Sequence, residues 1–286
     1  MNVEVAANPR ELVADVRELF TLPDMYLRVK EAIDSEESSV GQVAELIASD
    51  PVITARLLRF ANSAFFGLSQ QVDTISRAVT VLGTQLAHDV VLATSVVDSC
   101  SGVADTVDVR SFWSDSAYCG LLARLLAQRC NVLDSERIFL EGLLRDLGHL
   151  VMYQQLPDET RAAREQARSS GRELYQVEQN IVGCHYGEVG EELMASWQLP
   201  ASFGEVARYH VDPAGASNCP LEAAIVHIAH HVALASSAGR TLASDELPIK
   251  AAAWGITGLT VDVIEPVQAE ADSALAETQA LFIAAA

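Results

Sequence analysis

At 286 residues the chain is long enough for one large domain or two modest ones, each able to bury its own core. Half of the residues are hydrophobic and a fifth are charged, a globular balance that excludes a disordered chain. The net charge of −20, from 39 acidic against 19 basic residues, disfavours general binding to nucleic acid or an anionic membrane, because phosphate contacts draw on clustered Lys and Arg.

The opening "MNVEVAANPRELVADV" has neither the basic segment nor the continuous apolar core of a secretory signal, and "PRELVADVRELF", which overlaps its end, is helix-forming. "SSVGQVAELIASD" offers Ser39 as an N-cap with Gln42 three residues on, followed by apolar Val43, Leu46 and Ile47. "DPVITARLLRFANSAFFG" starts with Asp50 as a cap and Pro51 at the first helical position, and Gly67 is expected to end it. Ile53, Leu57, Leu58 and Ala61 share one face of that helix. "TISRAVTVLG" and "TQLAHDVVLATSVV" continue the helical pattern, with Gly83 as the break between them.

"DSCSGVADTVDVR" is small, polar and acidic and marks a boundary near residues 99–108. Helices resume with "FWSDSAYCGLLARLLAQRC" and "SERIFLEGLLRDLGHLVMY". Further ones lie around "LYQVEQNIVGCHYGEVGEELMASWQLP", "PLEAAIVHIAHHVALA" and "VIEPVQAEADSALAETQALFIAAA". No alternating strand or tandem repeat stands out. The expected fold is all-α, with residues 1–100 forming an N-terminal helical part and residues 101–286 a larger helical domain with a C-terminal helix.

No stretch approaches the roughly 18 to 20 apolar residues that span a bilayer. Cys100, Cys119, Cys130, Cys184 and Cys219 are odd in number and show no CxxC spacing, so they are expected to be reduced thiols packed in a cytoplasmic protein. In "ANSAFFG" Asn62 and Ser63 can bond to backbone groups at a helix end, while Phe65 and Phe66 supply apolar surface ahead of Gly67. Ser63 has no base at a recognisable spacing and is not a candidate nucleophile. His227 lies three residues from His230 and four from His231, a spacing that shares a helix face. Without an HExxH glutamate these are expected to be hydrogen-bonded core or surface histidines. His88 carries no motif, and Glu188, Glu191 and Glu192 are expected to be a solvated helix face. Glu178 and His185 share a face only if the helix runs through Gly183. There is no Walker A sequence, no GxGxxG after a strand and no GxSxG elbow.

"LPDMYLRV", "VAELIASDPVITARLLRFANSAFFGLSQQVDTISRAVTVLG", "FLEGLLRDLGHL" and "EQNIVGCHYGEVGEELMASWQLP" come in the order seen in the HDOD family. The chain resembles an HDOD domain protein from about Leu22 to about Leu259, and the first block is the most specific. The resemblance implies a fold similar to that of HD and HD-GYP phosphohydrolases and a role in bacterial signal transduction, often without demonstrated catalysis. HD enzymes converge imidazole and carboxylate donors on one or two metal ions.

Set against that pattern, Asp115 stands at the position resembling the first ligand histidine, and Arg145 replaces histidine in the His-Asp doublet while Asp146 remains. His185 and His210 resemble the later histidines, Val211 stands where a second histidine follows, and His230 takes the place of the terminal aspartate. His149 follows Asp-Leu-Gly where HD-GYP enzymes have lysine, and the GYP segment itself is absent after His210. A guanidinium has no lone pair to offer a metal, so an inward Arg145 is expected to pair with Asp146 or Asp115 in place of the missing cation.

Two functions from different classes follow. The first is a non-catalytic regulatory module with no expected cofactor, acting through contacts with other signalling proteins or through a small-molecule or nucleotide ligand, with one helical part moving against the other. The alternative is a divergent metal-dependent phosphohydrolase using Asp146, His185 and His210 to hold a divalent metal weakly. An acidic scaffold without a ligand is a third option. Family members often carry an attached signalling domain, for which this chain is expected to leave no room, so input is expected from a separate protein, a ligand or control of its amount.

Overall fold

The computed structural model describes residues 7–16, 23–35, 39–63, 71–99, 108–237 and 247–282. Among these residues the chain is all-α, with no strand. Six helices precede the acidic segment: α1 (Pro9–Asp15), α2 (Asp24–Asp34), α3 (Val40–Ala48), α4 (Pro51–Ala61), α5 (Ile75–Leu82) and α6 (Thr84–Ser99). Ten follow it: α7 (Val109–Arg129), α8 (Ser135–Leu144), α9 (Leu147–Gln155), α10 (Pro157–Ser170), α11 (Leu174–Ile181), α12 (Tyr186–Ser196), α13 (Ala201–Tyr209), α14 (Pro220–Ser237), α15 (Ala251–Thr257) and α16 (Ile264–Phe282). The expected boundary falls almost wholly on residues 100–107, outside the described residues. One apolar core, running from Leu12 to Ala271, draws on both sides of it.

Local chemistry sets the helix ends. Ser39 closes a capping box on α3: its Oγ accepts from the Gln42 N–H at 3.3 Å and its own N–H donates to Gln42 Oε1 at 2.7 Å. Asp50 Oδ1 accepts from the Val52 and Ile53 N–H groups at the start of α4, behind Pro51. Gly83, at φ +79°, lets the chain turn by 110° between α5 and α6. No single helix among the described residues is long and apolar enough to cross a membrane.

Two expectations about helix length are corrected. First, α4 ends at Ala61 rather than at Gly67, which lies with Phe65 outside the described residues. Asn62 causes the stop by clamping two backbone segments. Its Nδ2 donates to Leu58 O at 2.8 Å and Val72 O at 2.7 Å, and its Oδ1 accepts from the Val72 N–H at 2.7 Å. Buried Ser63 donates to Phe60 O at 2.7 Å, so this pair pins the end of α4 and ties it to Val72. Second, "FLEGLLRDLGHLVMY" is not one helix. It breaks at Arg145 and Asp146, between α8 and α9.

The elements that carry the break are packed at close range. A Cβ on Gly142 of α8 would meet the Gly120 Cα of α7 at 3.0 Å, and one on Gly148 of α9 would run into the Tyr186 carbonyl of α12. These contacts hold α8 and α9 tightly against α7 and α12, so the Arg145–Asp146 corner has a fixed place.

Candidate functional site

The helix break aims Arg145 into the interior, where the residue is 2% exposed. Its guanidinium meets three acceptors. Nη2 lies 2.7 Å from Asp146 Oδ2, Nε donates to His230 Nδ1 at 3.0 Å, and Nη1 donates to the Gly142 carbonyl at 2.8 Å. Burial, the largest single influence, pulls the guanidinium's pKa down; the Asp146 carboxylate, together with smaller pulls from Cys119, Tyr186 and Asp115, outweighs it and holds the group above its ordinary value. Arg145 is therefore charged and fully engaged. Asp115, the other expected partner, forms no ion pair with it and instead accepts from Ser237 Oγ at 2.8 Å.

Asp146, His210 and His230 converge, with one potential ligand atom from each lying within 4.8 Å of the others. His185 does not join them, which corrects the expected set of Asp146, His185 and His210. The helix stops at Ile181, Gly183 turns at φ +92°, and His185 becomes the N-cap of α12. There its Nδ1 accepts from the Gly187 N–H at 3.1 Å, and its ring lies edge-on to Tyr175 in a second cavity of about 430 Å³. The same turn separates His185 from Glu178 in helical register. His230, from α14, occupies the third corner.

Hydrogen bonds fix the tautomers. His210 Nδ1 must donate to the Ala207 carbonyl at 2.8 Å, which leaves the Nε2 lone pair of the neutral ring facing Tyr186 Oη at 3.1 Å. Burial pushes that ring down to about 4 against the pull of Asp146, so it is neutral at pH 7. Burial, reinforced by the Arg145 charge, holds His230 well below the usual range. Its Nδ1 accepts from Arg145, so Nε2 carries the proton. Asp146 Oδ1 is buried, has no hydrogen-bond partner among the described residues, and lies 3.6 Å from His210 Nε2.

The remaining histidines support this cluster or lie elsewhere. His227 Nδ1 donates to the His210 carbonyl at 2.6 Å and Nε2 accepts from the Lys250 N–H at 3.1 Å, so both nitrogens are committed. His231 packs edge-on against His227 and His230. His149 is stacked between Tyr186, at 3.8 Å between ring centroids, and Tyr153, at 5.4 Å; burial pushes it down to about 3. His88 is buried on α6 beside Asp89, at 2.9 Å, and belongs to the core.

The cluster opens onto a cavity of about 530 Å³. Its buried lining includes Arg145, His149, Tyr186 and His230. The α7 segment adds Asp108, Ser111, Phe112 and Asp115, and the α10–α11 segment adds Arg164, Arg172 and Tyr175. Sequence reasoning missed Tyr186, Arg164 and Arg172. Tyr186 carried no signal beyond its place in "CHYGE". The arginines did carry one: Arg161, Arg164, Arg168 and Arg172 recur at helical spacing in an otherwise acidic chain.

The HDOD domain family matches residues 19–213. The chain belongs to the HDOD family. A solved HDOD domain protein of unknown function from Geobacter sulfurreducens is similar at a TM-score of 0.73 and 23% identity, covering 96% of this chain and 97% of that one. A candidate phosphohydrolase from Shewanella amazonensis SB2B is similar at 0.71 and 25%, covering 94% and 96%. A candidate signal transduction protein from Marinobacter aquaeolei VT8 is similar at 0.68 and 20%, covering 98% and 62%. An uncharacterized protein of Treponema pallidum (strain Nichols) is 22% identical over 217 residues, 73% of this chain; the match spans 41% of that relative's length. The HDOD assignment accounts for the helical architecture, and its neighbours include both signalling and hydrolase descriptions.

Proposed function

We propose that this HDOD chain is a non-catalytic regulatory module in which the Arg145 guanidinium stands where a catalytic metal's charge would be. The observation that carries this reading is the bridge from Arg145 to Asp146 and His230. A divalent site of the hydrolase kind needs at least three protein donors with free lone pairs. Here His230 Nδ1 and Asp146 Oδ2 are already bonded to the guanidinium, leaving Asp146 Oδ1 and His210 Nε2. A second cation would also lie beside a permanent one, against Coulomb repulsion that the buried setting strengthens. The donor set does not fit a catalytic metal, and the module acts through partner proteins or a ligand in the cavity.

Metal analysis of protein purified without chelators tests this, alongside hydrolysis of a phosphodiester. The expected result is far less than one iron, manganese or zinc per chain and no turnover above buffer, with Arg145→His gaining metal affinity. A stoichiometric metal with hydrolysis abolished by Asp146→Ala would establish the rival. One observation favours that phosphohydrolase reading: the unpartnered Asp146 Oδ1 faces His210 Nε2 in a fold shared with the Shewanella amazonensis protein.

A further inference from the structure

The 530 Å³ cavity carries Arg164 and Arg172 on its α10–α11 side and Asp108 and Asp115 on its α7 side, with the half-buried Glu173 next to Arg172 and the Arg145-paired Asp146 also in the lining. Arg164 and Arg172, on the α10–α11 side, have no carboxylate partner among the described residues, although the chain carries twice as many acids as bases. Arg164 is set over the Tyr153 ring, with its Cζ 5.2 Å from the centroid, and its positive field reaches the His149 and Glu178 side chains inside. Arg145, the third cation of the lining, is already satisfied. Asp108 and Asp115, on the α7 side, each spend one oxygen on the protein, Asp108 on the Ser111 N–H and Asp115 on Ser237 Oγ. Their second oxygens have no partner among the described residues. Phe112 and Tyr175 supply ring surface to the same lining.

An inorganic anion would satisfy the arginines and leave the carboxylates facing like charge. A neutral ligand would do the reverse. We infer that the cavity takes an organic phosphate monoester, a nucleoside or sugar phosphate, with its anion at Arg164 and Arg172 and its amino or hydroxyl donors at Asp108 and Asp115. This rests on the metal-free reading above, since protein groups alone hold the ligand. Guanidinium groups give charge-assisted, directional bonds to phosphate oxygens, and carboxylates accept only from donors. The volume falls within the range of small-molecule sites.

Calorimetric titration of the full chain at constant ionic strength tests the inference, with adenosine 5′-monophosphate, glucose 6-phosphate, inorganic phosphate and adenosine as probes. At least one phosphate ester is expected to bind saturably and more tightly than inorganic phosphate or adenosine. Arg164→Gln or Arg172→Gln should weaken the ester about tenfold, the loss of one charge-assisted bond. Arg168→Gln, on the same helix but outside this cavity, should leave it unchanged. Asp115→Asn should weaken the ester and not inorganic phosphate. Which ester binds distinguishes nucleoside from sugar.

Absence of saturable ester binding overturns the inference, as does binding of inorganic phosphate or adenosine as tight as the ester's, or an equal loss in Arg168→Gln. Repeating the titration with a chelator separates the two readings. Ester binding that the chelator abolishes sinks the metal-free site, whereas absence of binding with and without it sinks the ligand assignment alone.

Discussion

Arg145 and Glu141 lie four residues apart at the end of α8, and both are buried, yet the fold treats their charges in opposite ways. The Arg145 guanidinium has a carboxylate, an imidazole and a carbonyl around it and stays charged. Neither Glu141 oxygen has a well-formed hydrogen bond among the described residues, and the nearest cation, Arg137 Nε, is 3.7 Å away. Burial pushes the Glu141 carboxyl up to about 8, so it is protonated at neutral pH. A buried charge survives only where partners replace its water; otherwise the group gives up the charge. The interior at Arg145 is therefore built to hold a cation, and the one it holds is covalently part of the chain.

The comparison breaks most severely at Arg145→Ala. That variant leaves Asp146 buried without its cation and His230 Nδ1 without a donor, and urea denaturation should show a loss of about 3–5 kcal/mol. A loss under about 1 kcal/mol would mean that the bridge contributes little.

Glu141→Gln gives a smaller effect of opposite sign. The folded pKa of Glu141 lies above its ordinary 4.5, so the wild-type stability linked to it is fully present below that pH and is lost as pH rises toward about 8. The glutamine variant should be flatter across that window and more stable than wild type by about 1–3 kcal/mol at alkaline pH. Parallel stability curves for the two proteins from pH 4 to 9, on the order of that window, would show that Glu141 is not the buried neutral acid described here.

The sequence exposed most of the helical architecture because caps and breakers act locally. Ser39 with Gln42, Asp50 with Pro51 and Gly83 each decide a helix end through atoms a few residues apart. The break at Arg145 and Asp146 was hidden because the apolar period runs on through it, and the contact made there joins Arg145 to a histidine 85 positions later. His185 looked like a ligand from its motif position, while His230 took that corner. His185 was diverted by a local event, the Gly183 turn that makes it a cap. The inward arginine could be argued from chemistry alone, but its choice of Asp146 over Asp115 required the packed positions of α7, α8 and α14.

The central claim, that Arg145 fills the place of a metal, is tested most directly by crystals soaked in manganese and measured for anomalous scattering. The account predicts guanidinium density between Asp146 and His230 and no anomalous peak among Asp146, His210 and His230. A manganese peak bonded to Asp146 and His210, with Arg145 turned away, would contradict it.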